Sequence, residues 1–589
     1  MPALTPSVAI AKFLEAAGTE FFFGVVGHGN WALLDALAGT RIRGVRARCE
    51  DHAVHMADGY WRTTRRPPPA VVVASGGPGA TNLIPALAEA YYSSVALVAL
   101  VGAGPSQWFD RGGIQEAYRS GPEEWVALAR PVTKRAVLVN RPDTALEMFL
   151  RAYKEAITGR PGPVLVQVPF DIQATPTEIR AIPEPRAWTH VHPPAPAPEA
   201  VAEAAALLAG ARRPLVVVST GIASARAWAE LRALAEEFGL PVCTTFAGKG
   251  AFPEDHPCYV GVAGRFGDEH SVAAARECDV LLSLGNRFTD MTTAGWTIYD
   301  IPKTTRLIQV DIDPAEIARV YPVEVGMLAD ARQALLALGP ALRARGCRGE
   351  DHAAWLERIA GWRRAWEAKV APLREKAGPP LDYAPLLDEA ARAVRDVDPE
   401  TSVLFDTGQI LCYGPSFFRA ASRHIQTNNG HFIRMGWSVP ALIGARLANP
   451  GHPALAFTGD GSFMMTGTAV ATAVEQGLPV VWMVMNNRSM VFERRMDRFY
   501  GKHVFCDYTL ERTGEPWNPD FVAMAESMGA RGMRLAKRSE VHAVVSEALR
   551  HPGPVVVDVD MDPASPVYNP VAFRYADDFG SRGLAAPAF

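Results

Sequence analysis

Asp460, in the run Phe457-Thr458-Gly459-Asp460-Gly461, and Asn487, in the pair Asn486-Asn487 beyond residues 462–485, are hard oxygen donors of the kind that hold a divalent cation. A cation held there can in turn hold a diphosphate. Mg²⁺ suits the donors, because it takes about six oxygens near 2.1 Å. Asp460, the Asn487 amide oxygen, a backbone carbonyl near Ser489, two phosphate oxygens and a water can supply them. Alone, Gly-Asp-Gly is a turn and Asn-Asn a loop; joined in a strand context, they make a site.

The elements that must position them are legible on either side. Pro453 to Phe457 is a short apolar run, Thr466 to Gln476 has helical composition, and Val480 to Met485 is strand-like again. In a right-handed strand–helix–strand crossover both strands end at one edge of a parallel sheet, so Asp460 and Asn487 are expected to meet there.

Upstream, Arg48-Cys49-Glu50-Asp51-His52 follows a strand-like segment and leads into His55-Met56-Ala57-Asp58-Gly59-Tyr60. Ala74-Ser75-Gly76-Gly77-Pro78-Gly79-Ala80-Thr81-Asn82 follows the strand candidate Val71-Val72-Val73. Gly112-Gly113-Ile114-Gln115-Glu116, Arg160-Pro161-Gly162-Pro163-Val164, Gly248-Lys249-Gly250-Ala251-Phe252-Pro253, Asp311-Ile312-Asp313-Pro314, Met435-Gly436 and Asp497-Arg498-Phe499-Tyr500 come after them in order. With these motifs the chain resembles, over roughly residues 5 to 560, the acetohydroxyacid synthase-like thiamine diphosphate family of acetolactate synthases, pyruvate oxidases and cyclohexane-1,2-dione hydrolases.

The resemblance implies an α/β chain of three doubly wound parallel-sheet domains: pyrimidine-binding, central and diphosphate-binding. It makes Glu50 the carboxylate on the aminopyrimidine N1′, favouring the imino tautomer that takes the thiazolium C2 proton. In the family that carboxylate serves a diphosphate held by another subunit, so a homodimer or homotetramer with sites at the subunit interface is expected. Gln115 matches an active-site glutamine, and Met435 the residue that props the cofactor in its bent conformation. Gly24 to Asn30 aligns with the loop beside the thiazolium ring, where His28 is unlike a synthase. The resemblance further places Gly27, Pro78, Asn82, Gly408, Gln409, Gly459, Gly461, Ser462 and Met490 around the cofactor, and Asp460, Asn487 and Ser489 on the metal.

Composition agrees. The 589 residues suffice for about three or four domains, and 48 % hydrophobic content is that of a globular enzyme. A net charge of −4 gives no footprint for nucleic acid or anionic membrane, so small-molecule substrates are the expected partners. Seven scattered cysteines read as neither a zinc site nor a disulfide framework, which points to the cytoplasm. Thr5-Pro6 can cap a helix running to Gly18, unlike a signal peptide, and no stretch approaches about 18 uninterrupted apolar residues.

Domains are expected over 1–175, 199–345 and 381–565. Between the first two, the proline-rich segment Thr175 to Pro198 reads as an extended linker without regular structure. The central domain carries strand candidates Leu215–Val218, Val242–Thr245, Val280–Leu284 and Leu307–Val310, and a charged helical stretch runs from His352 to Lys376. Gly285-Asn286-Arg287-Phe288 and Asp311-Ile312-Asp313 resemble segments at the synthases' FAD site, so FAD is a candidate cofactor, with another nucleotide or a vestigial site as the alternative.

Departures from the synthases bear on the substrate. Their acceptor-binding arginine ends the motif that here reads Arg287-Phe288-Thr289-Asp290-Met291. Losing such a charged hydrogen bond costs about 2–3 kcal/mol of transition-state binding if nothing replaces it. The lysine of their Pro-Lys-Asp motif is Phe170, the phenylalanine of Phe-Gln-Glu is Ile114, and their tryptophan after the metal site gives way to Met490-Val491-Phe492-Glu493-Arg494-Arg495. Arg494 or Arg495 could restore a carboxylate contact, or both are surface charges at a helix end. His28 and Phe170 resemble instead the cyclic diketone hydrolases, although that branch uses several histidines and here Trp31 and Gly76-Gly77 stand nearby. The expected activity is that of a thiamine diphosphate- and Mg²⁺-dependent carboligase or lyase on a 2-keto acid or 1,2-diketone, acetolactate synthase-like with a non-standard acceptor. A cyclic 1,2-diketone hydrolase and a flavin-dependent oxidase of the pyruvate oxidase type are the alternatives.

Overall fold

The computed structural model describes residues 3–116, 118–179, 181–427, 430–494, 505–566 and 568. Three six-stranded sheets, every pairing parallel, follow one another along the chain. The first comprises β1 (Phe21–Gly24), β2 (Arg43–Arg46), β3 (Ala70–Ala74), β4 (Leu97–Ala103), β5 (Arg135–Leu138) and β6 (Pro163–Pro169), in the order β2-β1-β3-β4-β6-β5. The central sheet comprises β7 (Pro214–Val218), β8 (Val242–Thr245), β9 (Tyr259–Ala263), β10 (Val280–Leu284), β11 (Arg306–Asp311) and β12 (Val325–Leu328), ordered β12-β11-β10-β7-β8-β9. The third comprises β13 (Ser402–Phe405), β14 (Ile425–Thr427), β15 (Ala454–Gly459), β16 (Val480–Asn486), β17 (Arg531–Leu535) and β18 (Val555–Asp560). Its order, β14-β13-β15-β16-β18-β17, repeats that of the first sheet strand for strand.

These runs become strands because they are apolar on both faces, and helices cover both faces of a doubly wound parallel sheet. Every residue of β3, β4 and β6 is buried. Along β7, Val216 and Val218 join one core while Leu215 and Val217 join another, the period-2 alternation of a strand between two helical layers. The four central strand candidates are β7, β8, β10 and β11 within a residue or so. Thr5 caps the first helix, Pro6–Ala16, as expected, its side chain accepting from Val8 N at 3.3 Å.

Two local expectations are corrected. The segment 175–198 contains a short helix, Pro185–Thr189, since proline in a first turn loses no hydrogen bond and presets the helical φ. After β15 the helix starts at Asp460 and runs to Thr466, earlier than composition placed it; a second begins at Val470. The glycines that disfavour helix there sit at its first turn and its end, where they cost least.

The helix Glu50–Thr64 of the first unit packs directly on the helix Ser438–Ala448 of the third. A Cβ on Gly59 would overlap the Ala441 carbonyl oxygen, and one on Gly444 would overlap that of Met56. Reciprocal glycines thus let two backbones touch. We expect Gly444→Ala to destabilise the protein by about 1–3 kcal/mol through overpacking. The check is the urea midpoint of unfolding; an unchanged midpoint would show that the crossing yields freely.

Candidate active site

Parallel strands deliver every following loop to one edge, and at the first sheet that edge collects four of the segments singled out in the sequence. Gly27 to Asn30 follows β1, Glu50 follows β2, residues 75–82 follow β3, and residues 104–116 follow β4. The His28 turn is clamped by its neighbours. Asn30 Nδ2 donates to Val25 O at 2.9 Å, Gly27 N to Asn30 Oδ1 at 3.0 Å, Gly29 N to Ser75 Oγ at 3.1 Å, and Gln173 Nε2 to Gly29 O at 2.6 Å. Glu50 opens its helix half-buried and accepts from Asn82 Nδ2 at 3.0 Å. A Cβ on Gly79 would lie 3.2 Å from Glu50 Oε1 and 3.6 Å from Ser75 Cβ, so one small-residue wall borders both Glu50 and the His28 turn. Burial, with Asp51 nearby, pushes the adjoining Cys49 thiol up to about 11, so it stays protonated beside that carboxylate. Pro78 begins the short helix that ends at Asn82. Gln115 takes a left-handed conformation (φ 63°), and its carbonyl lies where a side chain on Gly77 would be.

The third sheet gathers the other half. β15 and β16 pair in register, Gly459 opposite Met485, which brings Asp460 and Asn487 to neighbouring strand ends. Asp460 is buried, and burial pushes its carboxyl up to about 6 against donors that stabilise the anion: Gly461 N at 2.7 Å, Arg488 N at 2.7 Å and Asn518 Nδ2 at 2.9 Å. Among the described residues Asn487 Oδ1 accepts only the Ser489 N–H, at 3.0 Å, while Asn486 is committed to Asp558 and Asn518. Of the two asparagines, Asn487 therefore keeps an oxygen lone pair. Ser489 Oγ and Met490 N both bond Cys506 O, fixing the turn after β16.

One buried carboxylate, one amide oxygen and the turn carbonyls suit a hard, oxygen-seeking cation. Among the described residues no group of three His, Cys, Asp or Glu side chains is arranged for a softer metal. Gly459, Gly461 and Ser462 leave the strand end free of bulk. A Cβ on Gly461 would stand 2.5 Å from Tyr508 Oη and 3.5 Å from Met435 Cε, so Met435 and the diphosphate-side loop share one wall. Gly408 has φ 99° with open space around it, room that a bound group could fill.

Three residues that fix this edge carried no role in the sequence reading. Asp406, fully buried at the end of β13, accepts from Gly436 N at 3.1 Å and Ser438 N at 3.0 Å, pinning the turn that carries Met435. Its place directly after a strand, like that of Asp460, was the available signal. Asn518 and Tyr508 reach the site from distant loops and carried none.

Other assigned residues have commitments. Gln409 donates to Ser565 O (2.9 Å) and Pro566 O (3.1 Å), so its amide N–H₂ serves the chain's C-terminal segment rather than a ligand. Arg494, read from the sequence either as a carboxylate contact or as a surface charge at a helix end, ion-pairs with Asp507 and donates to Pro563 O at 3.1 Å. Arg495 lies outside the described residues, as does the motif Asp497 to Tyr500. Met291 sits with Phe246, Val262 and Leu411 in an apolar cluster, and Phe492 meets Phe266 edge-on at 6.1 Å. Phe170 meets Trp31 edge-on at 6.2 Å, while Ile114 is 70 % exposed.

A cavity of about 410 Å³ opens at the central sheet, where the strand order reverses between β7 and β10. Gly221 and Gly285 form its floor with backbones too close for side chains, and Arg160, Arg287 and Asp311 line it. Backbone exposed at such a switch point is where nucleotide phosphates approach.

Three all-parallel units, with Asp460 and Asn487 at one strand edge and Glu50 at another, are the architecture of a thiamine diphosphate enzyme. The chain matches the thiamine pyrophosphate enzyme N-terminal TPP binding domain over residues 5–120, the central domain over 201–338 and the C-terminal TPP binding domain over 406–559. It is 33 % identical over 569 residues to a probable acetolactate synthase large subunit of Methanocaldococcus jannaschii, covering 94 % of this chain and 92 % of that one. Similar matches are the acetolactate synthase large subunit of Corynebacterium glutamicum (32 %; 94 % and 86 % covered) and the isozyme 1 large subunit of Escherichia coli (31 %; 95 % and 94 %). The protein belongs to the thiamine diphosphate-dependent, acetolactate synthase-like family.

Removing the Asp460 charge should weaken the metal edge while leaving the fold in place. Asp460→Asn is expected to lower Mg²⁺-dependent thiamine diphosphate affinity at least tenfold by calorimetry, with the far-ultraviolet spectrum unchanged; undiminished affinity would remove Asp460 from the metal.

Proposed function

We propose that this protein is a thiamine diphosphate- and Mg²⁺-dependent enzyme that forms or cleaves carbon–carbon bonds on a 2-keto acid or 1,2-diketone. It is an acetolactate synthase-like carboligase with a non-standard acceptor, since Phe170 and Met291 stand where the synthases carry side-chain cations. The observation that carries the cofactor is the meeting of Asp460 and Asn487 at adjacent strand ends. The observation that carries the acceptor is Met291 in its apolar cluster, with Phe170 against Trp31 and Arg494 already paired.

Thiamine diphosphate, when bound, would supply an acidic thiazolium carbon as the nucleophile for a carbonyl substrate. This chain's residues do the rest. Asp460, Asn487 Oδ1 and the Ser489 carbonyl would hold the cation and through it the diphosphate. Met435 would support the cofactor, and Glu50, which accepts a hydrogen bond from Asn82, would hold a proton for its aminopyrimidine ring. Gln115 and His28 are the groups on the first edge that hydrogen-bond, or exchange a proton with, the substrate oxygen. Val26, Trp31 and Ile114 beside the first edge, and Met464 and Met465 beside the third, are large apolar side chains left exposed. Their exposure supports a homodimer, or a dimer of dimers, in which one subunit's Glu50 edge covers the other's metal edge. Cys49, Cys243, Cys258, Cys278 and Cys347 are thiols rather than disulfides, which favours the cytoplasm. The central cavity is assigned to a nucleotide, with FAD the candidate named by the resemblance; flavin absorbance that substrate bleaches would turn the assignment toward the oxidase type. A cyclic 1,2-diketone as donor is the second substrate reading, supported by the clamped His28 turn.

Glu50→Gln is expected to keep thiamine diphosphate binding and to slow exchange of the cofactor's C2 proton for deuterium, followed by NMR, by about 10²–10⁴-fold. Exchange at the wild-type rate would overturn the role given to Glu50.

A further inference from the structure

Glu116 lies two residues beyond the exposed Ile114 yet is 2 % exposed, in the heart of the first edge. Its two carboxylate oxygens have different fates. Oε2 accepts from Gly104 N and from Tyr118 Oη, both at 2.6 Å. Oε1 is buried without a hydrogen-bond partner, stands where any side chain on Gly76 would have to be, and faces His28 Nε2 at 3.8 Å. His28 Nε2 is likewise buried and without a hydrogen-bond partner. The ring as a whole is 23 % exposed, which leaves Nδ1 on the open side. Unmatched buried polar atoms are rare and costly in native proteins, and here two of opposite character face each other.

We propose that Glu116 is the positioning residue of a Glu116–His28 dyad that makes His28 Nδ1 the enzyme's second proton-transfer centre, distinct from Glu50. This rests on the functional reading above. At 3.8 Å the carboxylate acts through its charge, at a distance too long for a hydrogen bond. The neutral ring keeps its proton on Nε2, toward the carboxylate, and its lone pair on Nδ1, toward the cleft. A proton passing from a substrate hydroxyl to Nδ1 gives an imidazolium whose charge Glu116 offsets; returning that proton from Nδ1 to the substrate restores the neutral ring. No electron or atom is left over.

The surroundings suit this role. Glu116 is the only ion-pair partner of His28 among the described residues. Tyr118 is the other titratable group on the carboxylate, and burial together with Glu116 pushes its phenol up, so it remains a donor. Gly76, Gly102, Gly104 and Trp108, which complete the walls, bring no charge. The backbone of His28 cannot drift away, since Gly29 is held on both sides by Ser75 and Gln173.

The test is a histidine Cε1–H NMR titration of the full-length protein, with the His28 signal identified by its loss in His28→Asn. Glu116→Gln keeps acceptors for Gly104 and Tyr118 but removes the charge, so the midpoint of the His28 titration moves to lower pH, while Glu116→Asp retains most of it. Tyr118→Phe strips one neutralising donor from the carboxylate and moves the midpoint the opposite way, which keeps the proposal testable if Glu116→Gln does not fold. Curves for Glu116→Gln or Tyr118→Phe that superimpose on wild type, with the other histidine signals unmoved, would overturn the dyad. Cofactor C2-proton exchange, measured on the same wild-type sample, separates the two claims. Exchange with an unmoved His28 leaves the enzyme reading and removes the dyad; a moved His28 without exchange does the reverse.

Discussion

Parallel strand pairing is the constraint on which the rest of this structure depends. Every strand in a parallel sheet ends at the same edge, so a chain that alternates strands and helices cannot avoid collecting its loops there. The first and third sheets share one strand order, and the proposed function gives each edge half of the chemistry: protons on the first, the cation and diphosphate on the third. The central sheet, in a different order, offers a separate glycine-floored cavity at its own reversal.

The first and third units are held against each other by polar groups as well as by the Gly59–Gly444 crossing. Arg62 pairs with Asp58 at 2.6 Å and with Glu89 at 3.2 Å, and Trp437 Nε1 donates to Asp58 at 3.0 Å. Arg434 bonds Asp51 at 2.5 Å, and its backbone N–H donates to Glu89 at 3.2 Å. Burial pushes the Glu89 carboxyl up while Arg62 pulls it back. Such buried charges are expensive unless every partner is present, so they discriminate against misplacement more than they add stability. The consequence is local: Asp51 adjoins Glu50, and Arg434 adjoins Met435.

How much of this was legible beforehand follows from sequence distance. The strands were readable as short apolar runs because both faces of a parallel sheet are buried, and the Asp460–Asn487 pairing followed from one crossover. Helix bounds near Asp460 and within 175–198 were misjudged because glycine and proline at a helix end cost far less than inside it. Asp406 carried a strand-end signal of the kind that revealed Asp460. The roles of Asn518, Tyr508 and Glu116 depend on partners brought close only by the tertiary fold, for which local pattern has no signature. Arg494 was open to two readings, a carboxylate contact or a surface charge at a helix end, and its ion pair with Asp507 is visible only in the folded chain.

The central claim is that a working site joins the Glu50 edge of one subunit to the Asp460 edge of another. Mixing the two singly disabled proteins, Glu50→Gln and Asp460→Asn, after subunit exchange verified by native mass spectrometry, tests it most directly. Random dimers of the two would contain wild-type sites in about a quarter of positions, so cofactor C2-proton exchange should return to about a quarter of the wild-type rate. A mixture that exchanges subunits yet stays as inactive as its components would place both residues in the same chain's site and contradict the account.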